Sequence, residues 1–542
     1  MTSAHDDIVP DLTFREFWER QVDATPDREF LIYGDQRFTY TEVDQAANRV
    51  AAGLQAQGIG AGDRIALLLP SDRELLDIEL AIHKVGAVMV PMIYGLTAPE
   101  VAYVVGHAEP TMCITDAASF EALAVAGEVP GAGRTTWLAF GAQELDPTGT
   151  RVQPAEALYT DIATRPALSE IGPRDPMAIM YTSGSTGKPK GVLQPSRGLV
   201  SAGVLIADRL GMGVDDTVFC CLPLFHAAGT HMLFAPAVAC GGRFALVPSF
   251  SRDLFWDQVR SSGSTMSLLM PAQLAILMTL EPSDRDRDHG LTRMFSHIQP
   301  HDFIERFGTV VCTAWAMTET SGIGIMSHPG DILPPACIGM PMATTRAKII
   351  DATSGEPLPN GEQGELVFRH PDVMLEYIND TVNTADTLSD RWVHTGDLCS
   401  MDEGGLVYFH GRIKNIIKRA GENIAGEEVE FCLIEHPDVV DCVTGSVPDP
   451  IYTEEVHAIV GIRPGAQVTS QDITEWAAAR LSDWKVPRYI TVLEGEFPRL
   501  TNGKINRLQV RAENDVSTAI DGGSRSKSRN RAAASVTTEE KY

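Results

Sequence analysis

The chain has 542 residues, a formal net charge of −28, 44% apolar and 21% charged residues. It is too long for one core, which predicts two or more domains. The acidic balance argues against nucleic acid or an anionic membrane as the main partner. Nine cysteines form no C-x-x-C pair, the N-terminus lacks the basic start and apolar core of a signal peptide, and no run of 18 apolar residues occurs. Neither a disulfide framework, a zinc site nor an integral membrane segment is expected, and a cytoplasmic location follows as the default.

In chain order, Thr13 and Glu16 form a capping box ahead of Phe14, Phe17, Trp18 and Val22, which share one helical face. Glu29–Tyr33 and Arg37–Tyr40 flank Gly34-Asp35-Gln36 and read as a hairpin. A helix over 42–57, a strand over 64–69, a helix over 72–85, a strand over 87–90, a helix over 98–106 and a strand over 111–115 follow. This alternation predicts α/β layers with a largely parallel sheet. Residues 117–172 are weakly patterned and read as irregular connections. From 345 to 410, Arg346–Ile350, Gly364–Phe368 and Leu406–Phe409 suggest a small β-rich subdomain. Beyond Gly411 a compact α+β unit of about 100 residues is expected, the size of a small separate domain. Past Asp515 apolar content collapses into a tail expected to be disordered. The predicted organisation is 1–411, 412–515 and a tail over 516–542.

The most informative stretch is Tyr181–Val192, YTSGSTGKPKGV, directly after the apolar run Met177–Met180. Gly184, Gly187 and Gly191 permit tight turns and close ligand approach. Backbone amides with Thr182, Ser183, Ser185 and Thr186 supply donors, and Lys188 and Lys190 supply charge, which together make a phosphate-binding loop. It does not fit the Gly-x4-Gly-Lys-Ser/Thr spacing of common nucleotidases.

This loop resembles the phosphate loop of the ANL superfamily of adenylate-forming enzymes, in its acyl-CoA synthetase branch. Four later stretches continue the resemblance in family order: Ala314–Thr320 (AWAMTET), His394–Leu398 (HTGDL), Gly411–Asn415 with Ile417–Ile424 (GRIKN, IKRAGENI), and Pro498–Arg507 (PRLTNGKINR). The resemblance implies an ANL fold: a large N-terminal domain of α/β layers with a β-rich subdomain, followed by a small, mobile α+β C-terminal domain. It implies an ATP-dependent carboxylic acid–CoA ligase that forms an acyl-adenylate and then a thioester, with ATP, Mg2+ and coenzyme A as cofactors or cosubstrates. It also implies roles. Trp315 packs on adenine, Thr318 contacts phosphate and Glu319, with Thr186, holds Mg2+. Asp397 takes the ribose hydroxyls with Arg412 nearby, Lys414 marks the hinge, and Gly421 lines the thiol tunnel. Lys504 is the catalytic lysine of adenylation, and His226, in PLFHAAG, lies beside the acyl and thiol channels.

The chain departs from the family at Ser196, where many relatives have histidine, and at Phe295–Pro300 (FSHIQP), where they have a Gly-Gly-Ala-Pro-like turn. Trp315-Ala316 replaces the commoner Tyr-Gly. The stretch around Glu305–Gly308 and the following MTET resemble crotonobetaine/carnitine-CoA ligases most. The partners expected are a small carboxylic acid, ATP and CoA, without nucleic acid, and an oligomer stays open. Two alternatives stand beside the ligase: an enzyme that loads a carrier-protein thiol, and a non-catalytic nucleotide or acyl-CoA binding homologue.

Overall fold

The computed structural model describes residues 8–125, 129–131, 134–142, 152–167, 170–182, 189–419, 422–449, 452–500 and 504–521. It divides into two compact units, the first comprising 1–348, 367–394 and 403–407, the second 349–366, 395–402 and 408–542.

The first unit is built as its sequence pattern dictates. Thr13 caps the Phe14–Ala24 helix and Thr39 the Tyr40–Ala56 helix, each returned by the glutamate three residues on. Glu29–Tyr33 and Gln36–Thr39 pair antiparallel as the expected hairpin. They extend a sheet that runs Cys337–Pro341, Gly324–Met326, Val310–Ala316, Arg293–Ser296, Met266–Leu268, Thr217–Cys220, Arg243–Leu246, Glu29–Tyr33, Gln36–Thr39. From Val310–Ala316 to Glu29–Tyr33 all neighbours are parallel. A second sheet runs Glu376–Tyr377, Lys190–Pro195, Pro176–Thr182, Val88–Pro91, Arg64–Leu68, Met112–Asp116, Thr136–Phe140, Gln153–Pro154. Its last six strands are parallel.

Three expectations need correction. Residues 117–172 are not merely connections: they supply the Ala117–Val125 helix, the Thr136–Phe140 strand and a short 3-10 turn at Ala155–Leu158. That helix is alanine-rich and nearly uniform in hydropathy, so it carries no periodic stripe to read. The stretch 392–401 is a ten-residue strand, Trp392–Met401, that the sequence reading left out. Residues 516–521, expected to lie in the tail, form a 3-10 turn and then a short strand, Ile520–Asp521, paired with Tyr489–Glu494.

In the second unit, Glu422–Ala425, Ile416–Arg419, Thr453–Ile462, Tyr489–Glu494 and Ile520–Asp521 lie side by side, and Val439–Asp449 pairs along Thr453–Ile462. Helices Gly426–Ile434 and Ser470–Ala478 cover a core that includes Ile417, Val429, Leu433, Val456, Val460 and Ile473.

Candidate active site

The glycine-rich stretch is flanked by two paired strands. Pro176–Thr182 is a buried strand, as the apolar run predicts, and pairs antiparallel with Lys190–Pro195 so that Thr182 stands opposite Lys190. Ser183, Gly184, Ser185, Thr186, Gly187 and Lys188 lie outside the described residues, while the stem on both sides is fixed. Pro189 accepts a 2.8 Å hydrogen bond from the Tyr103 hydroxyl. Lys190 Nζ donates to Asn383 Oδ1 at 2.6 Å and sits 5.0 Å from the Tyr377 ring centroid, so its charge is aimed by neighbours. Gly191 corrects the turn reading. It is a strand residue whose absent Cβ would come within 2.9 Å of both Ile179 Cγ2 and Ile378 Cγ1.

The second motif sits at the end of a sheet strand. Trp315 is the penultimate residue of Val310–Ala316, buried, with its ring 6.0 Å from Phe368. Gly324 on the neighbouring strand makes room for it, because a Cβ there would meet Trp315 O at 1.9 Å. Thr318–Thr320 forms one 3-10 turn, held by Gln194 Nε2 donating to Thr318 O at 2.7 Å and by Met374 N donating to Glu319 O at 2.8 Å. Glu319 is buried, and its Oε1 accepts the Tyr377 hydroxyl at 2.6 Å. Burial, reinforced by the Glu319 carboxylate, pushes the Tyr377 phenol well above its ordinary pKa, so it stays a donor. Glu319, Tyr377, Lys190 and Asn383 thus form one linked polar cluster. Tyr377 and Asn383 were missed by the sequence reading. Tyr377 lies 58 positions from Glu319, and no local spacing announces such a pair.

The departures from the family pattern have structural solutions. Ser196 Oγ accepts Phe14 N at 2.9 Å and so ties the first helix to the Ser196–Leu210 helix. At 296–300 no residue takes a positive φ, so the missing glycines are not needed for the backbone. Gln299 stitches the segment down instead: its Nε2 donates to Val311 O at 3.0 Å and Asp331 O at 2.6 Å, and its Oε1 accepts Leu333 N at 3.1 Å. His226 is half-buried beside Phe225 and begins a short helix that passes through a π-helical turn, Thr230–Phe234.

The remaining motifs, His394 apart, belong to the second unit. His394–Leu398 is not a turn by itself but lies within Trp392–Met401, where Gly396 takes φ +67°. Asp397 is fully buried and pairs with Arg412 Nε at 2.7 Å, and Arg412 Nη1 also donates to Thr395 O at 3.1 Å. The structure therefore brings Asp397 and Arg412 together. Lys414 is exposed in the 3-10 turn Ile413–Asn415. Glu427, absent from the sequence reading, clasps this segment: its carboxylate accepts Arg412 N at 3.3 Å and Asn415 Nδ2. Gly421 lies outside the described residues. Lys504 is exposed, and its carbonyl oxygen accepts Leu500 N at 2.7 Å. Its flanks are pinned by Arg499 to Asp441 (2.8 Å) and by Arg507 Nη1 to the buried Glu430 (2.7 Å).

Whether Mg2+ suits Glu319 follows from the donor chemistry. Magnesium takes hard oxygen ligands, commonly one or two carboxylates with substrate phosphates and water completing six. One buried carboxylate oriented by a neutral phenol fits that pattern. No group of three or more metal-capable side chains converges among the described residues, so the remaining ligands would come from phosphate and solvent. Thr186, the other expected ligand, lies outside the described residues.

Residues 18–378 match the family described as AMP-binding enzyme, and residues 428–504 match the AMP-binding enzyme C-terminal domain. The chain is 30% identical over 523 residues to a crotonobetaine/carnitine–CoA ligase of Escherichia coli strain SE11, covering 92% of this chain and 99% of the relative. It is 29% identical over 518 residues to the enzyme of that name from Salmonella agona, with the same coverage. Among solved structures, an anthranilate CoA ligase in complex with anthranoyl-AMP superposes with a TM-score of 0.83 at 23% identity, covering 94% of this chain and 98% of that one. The O-succinylbenzoate coenzyme A synthetase of Bacillus subtilis, in complex with AMP, gives 0.79 at 25% identity, covering 91% and 98%. No helix among the described residues is long and apolar enough to cross a membrane.

Proposed function

We propose, from the premise that this chain belongs to the AMP-binding enzyme family, that it is an ATP-dependent carboxylic acid–CoA ligase acting through an acyl-adenylate. The observation that carries the reading is the cluster in which Tyr377 joins Glu319 to Lys190, so that the turn after Trp315 and the stem of the glycine-rich loop are held together. In the first step a carboxylate oxygen attacks the α-phosphorus of ATP and pyrophosphate leaves. Charge builds on the α-phosphate oxygens, so the protein's task is positioning and electrostatic stabilisation. Lys504 and the Thr318 hydroxyl are assigned to those oxygens, Trp315 to the adenine face, and Asp397 to the ribose hydroxyls. Thr182, Lys190 and the loop residues Ser183–Lys188 are assigned to the β- and γ-phosphates. Glu319 with Thr186 would hold Mg2+, which supplies a hard positive charge beside the phosphate oxygens when bound.

In the second step the CoA thiol gives up its proton and its sulfur bonds to the acyl carbon, while the bond from that carbon to the phosphate oxygen breaks and AMP leaves with the electron pair. The Gly421 segment and His226 are assigned to the thiol and acyl channels, Arg412 to the ribose side, and Lys414 to the hinge between the proposed domains 1–411 and 412–515. A cytoplasmic location belongs to the same reading and is supported by nine free cysteines.

The test is a pyrophosphate-exchange and hydroxamate screen over short and medium fatty, aryl, alicyclic and betaine acids, followed by mass detection of the CoA thioester. At least one acid should support exchange and then a thioester with free CoA. Exchange without CoA thioester, but with loading of a pantetheinylated carrier protein, would replace this reading with the carrier-loading one. No exchange with any acid would favour a binding homologue.

A further inference from the structure

The second sheet of the first unit contains a reversal that the adenylation chemistry does not use. From Arg64–Leu68 the chain moves to Val88–Pro91 on one side, then returns to Met112–Asp116 on the other and continues outward through Thr136–Phe140. Such a reversal opens a crevice at the carboxyl ends of the two strands that part company, which is where open α/β sheets bind ligands. A cavity of about 890 Å³ lies there, lined by Leu69, Pro70 and Asp72 after the first strand, Asp116 at the end of the next, and Phe140 at the end of the third. None of its lining residues belongs to the signature motifs.

The wall chemistry is one-sided. Six carboxylates (Glu42, Asp72, Glu74, Asp77, Asp116 and Glu156) face two guanidiniums, Arg49 and Arg73. Tyr33, Phe38, Phe140 and Tyr159 add aromatic surface, and Arg73 already sits 3.6 Å over the Phe38 ring, the way an aromatic face holds a cation. Asp77 is 2% exposed, and its Oδ1 has no hydrogen-bond partner among the described residues. Its other oxygen has only a 3.4 Å contact from Tyr159 and a 3.5 Å contact from Arg73. A buried carboxylate oxygen left without a donor is costly, so it points to a donor arriving from outside.

We propose that this cavity binds a small aliphatic polyamine, its ammonium groups taken by the acidic walls and its methylenes by the aromatic ones. The carboxylates come from four elements, with Asp72, Glu74 and Asp77 together at the start of the Arg73–Val85 helix, and no group of three metal-capable side chains converges among the described residues, which favours an extended cation over a compact one. Burial holds Asp72 up at about 6 and Asp77 at about 7, with Glu74 adding to both, as befits carboxylates short of counter-charge. The inference is independent of the ligase reading, because its readout is binding and not turnover.

The experiment is calorimetric titration of spermidine into the full chain at 0.15 M salt. Saturable binding of one molecule per chain is expected, weakened at least tenfold in the double variant Glu74→Gln/Asp116→Asn. Asparagine at 116 keeps an acceptor for Ser119 N, which Asp116 Oδ1 accepts at 2.8 Å. A control with the same charge change elsewhere, Glu281→Gln/Asp284→Asn, should bind within twofold of the unaltered chain. Equal weakening in both variants would reduce the effect to diffuse attraction by a chain of charge −28 and overturn the site. Unchanged binding in the cavity variant would do the same, as would stoichiometric displacement by Mg2+, which would make the ligand a metal. Should the double variant fail to fold, Glu74→Gln alone, at an exposed position, carries the test with a threefold or greater loss expected.

Discussion

The Tyr377 hydroxyl donates to Glu319 Oε1 across 2.6 Å, and the same ring lies 5.0 Å from the ammonium of Lys190. One phenol thus orients the carboxylate assigned to the cation and flanks a lysine on the loop stem. A hydrogen bond to a charged group contributes about 1.5–3 kcal/mol. Tyr377→Phe is therefore expected to lower the rate of pyrophosphate exchange by roughly tenfold or more and to raise the Mg2+ concentration at half-maximal rate. The buried Glu319 carboxylate also loses that donor, so the unfolding midpoint should fall as well, and the Mg2+ dependence is the readout that a loss of stability alone would not move. A variant with unchanged Mg2+ dependence would remove Tyr377 from any role in orienting Glu319.

Lys504 stands between two pinned flanks, held through Arg499–Asp441 and Arg507–Glu430. Loss of one electrostatic donor at a reacting centre typically costs about 10²–10³ in rate. Lys504→Ala should show that loss in acyl-adenylate formation while thioester formation from supplied acyl-AMP stays within a few-fold of the unaltered enzyme. Single-turnover measurement of each half-reaction separates the two. An equal fall in both would show that the lysine is not specific to adenylation.

Much of this arrangement is legible in the sequence where the determinant is local. The capping box at Thr13 and the buried strand at Met177–Met180 depend on residues a few positions apart. Asp397 reads as part of a Thr-Gly-Asp turn because Gly396 does take a positive φ. What the local pattern hides is that pairing continues on both sides, making Trp392–Met401 one strand. Tyr377, Asn383, Gln194 and Glu427 are invisible for another reason: each acts on a partner distant in sequence, and only the fold brings them together. Gln299 belongs with them, since its three bonds replace glycines whose absence was the only sequence signal.

His83 and His231 give the core of the first unit an acid-sensitive element. Both are buried, and burial holds His83 down at about 4 and His231 at about 3, each neutral in the folded chain. The unfolded chain takes up these protons near the ordinary histidine pKa of about 6.5. Between about pH 6.5 and 4 the unfolded state therefore binds more protons, and stability falls as pH falls. The stabilising contribution is fully present above pH 6.5. Glu79, also fully buried and pushed well above the carboxylate range, works in the opposite direction. His83→Leu should accordingly flatten the acid side of the unfolding-midpoint profile, the gap to the unaltered chain shrinking between pH 7.5 and 5. Parallel profiles would mean that His83 is not buried in its neutral form.

Gly411 precedes the assigned hinge and is constrained twice over. Its φ is +142°, and a Cβ there would lie 2.6 Å from Glu427 Oε2 and 3.1 Å from Ala425 Cβ. The carboxylate it would displace is the one that accepts Arg412 N and Asn415 Nδ2. Gly411→Ala must strain the backbone, at about 1–3 kcal/mol, or push Glu427 off the segment it clasps. Glu427→Gln keeps the shape and some of the hydrogen bonding but removes the charge. Gly411→Ala should lower the denaturant midpoint and slow both half-reactions, because the segment carrying Arg412 and Lys414 loses its anchor, whereas Glu427→Gln should do so more weakly. If Gly411→Ala leaves the midpoint and both half-reactions unchanged, the clasp at Glu427 does not set the geometry of the hinge.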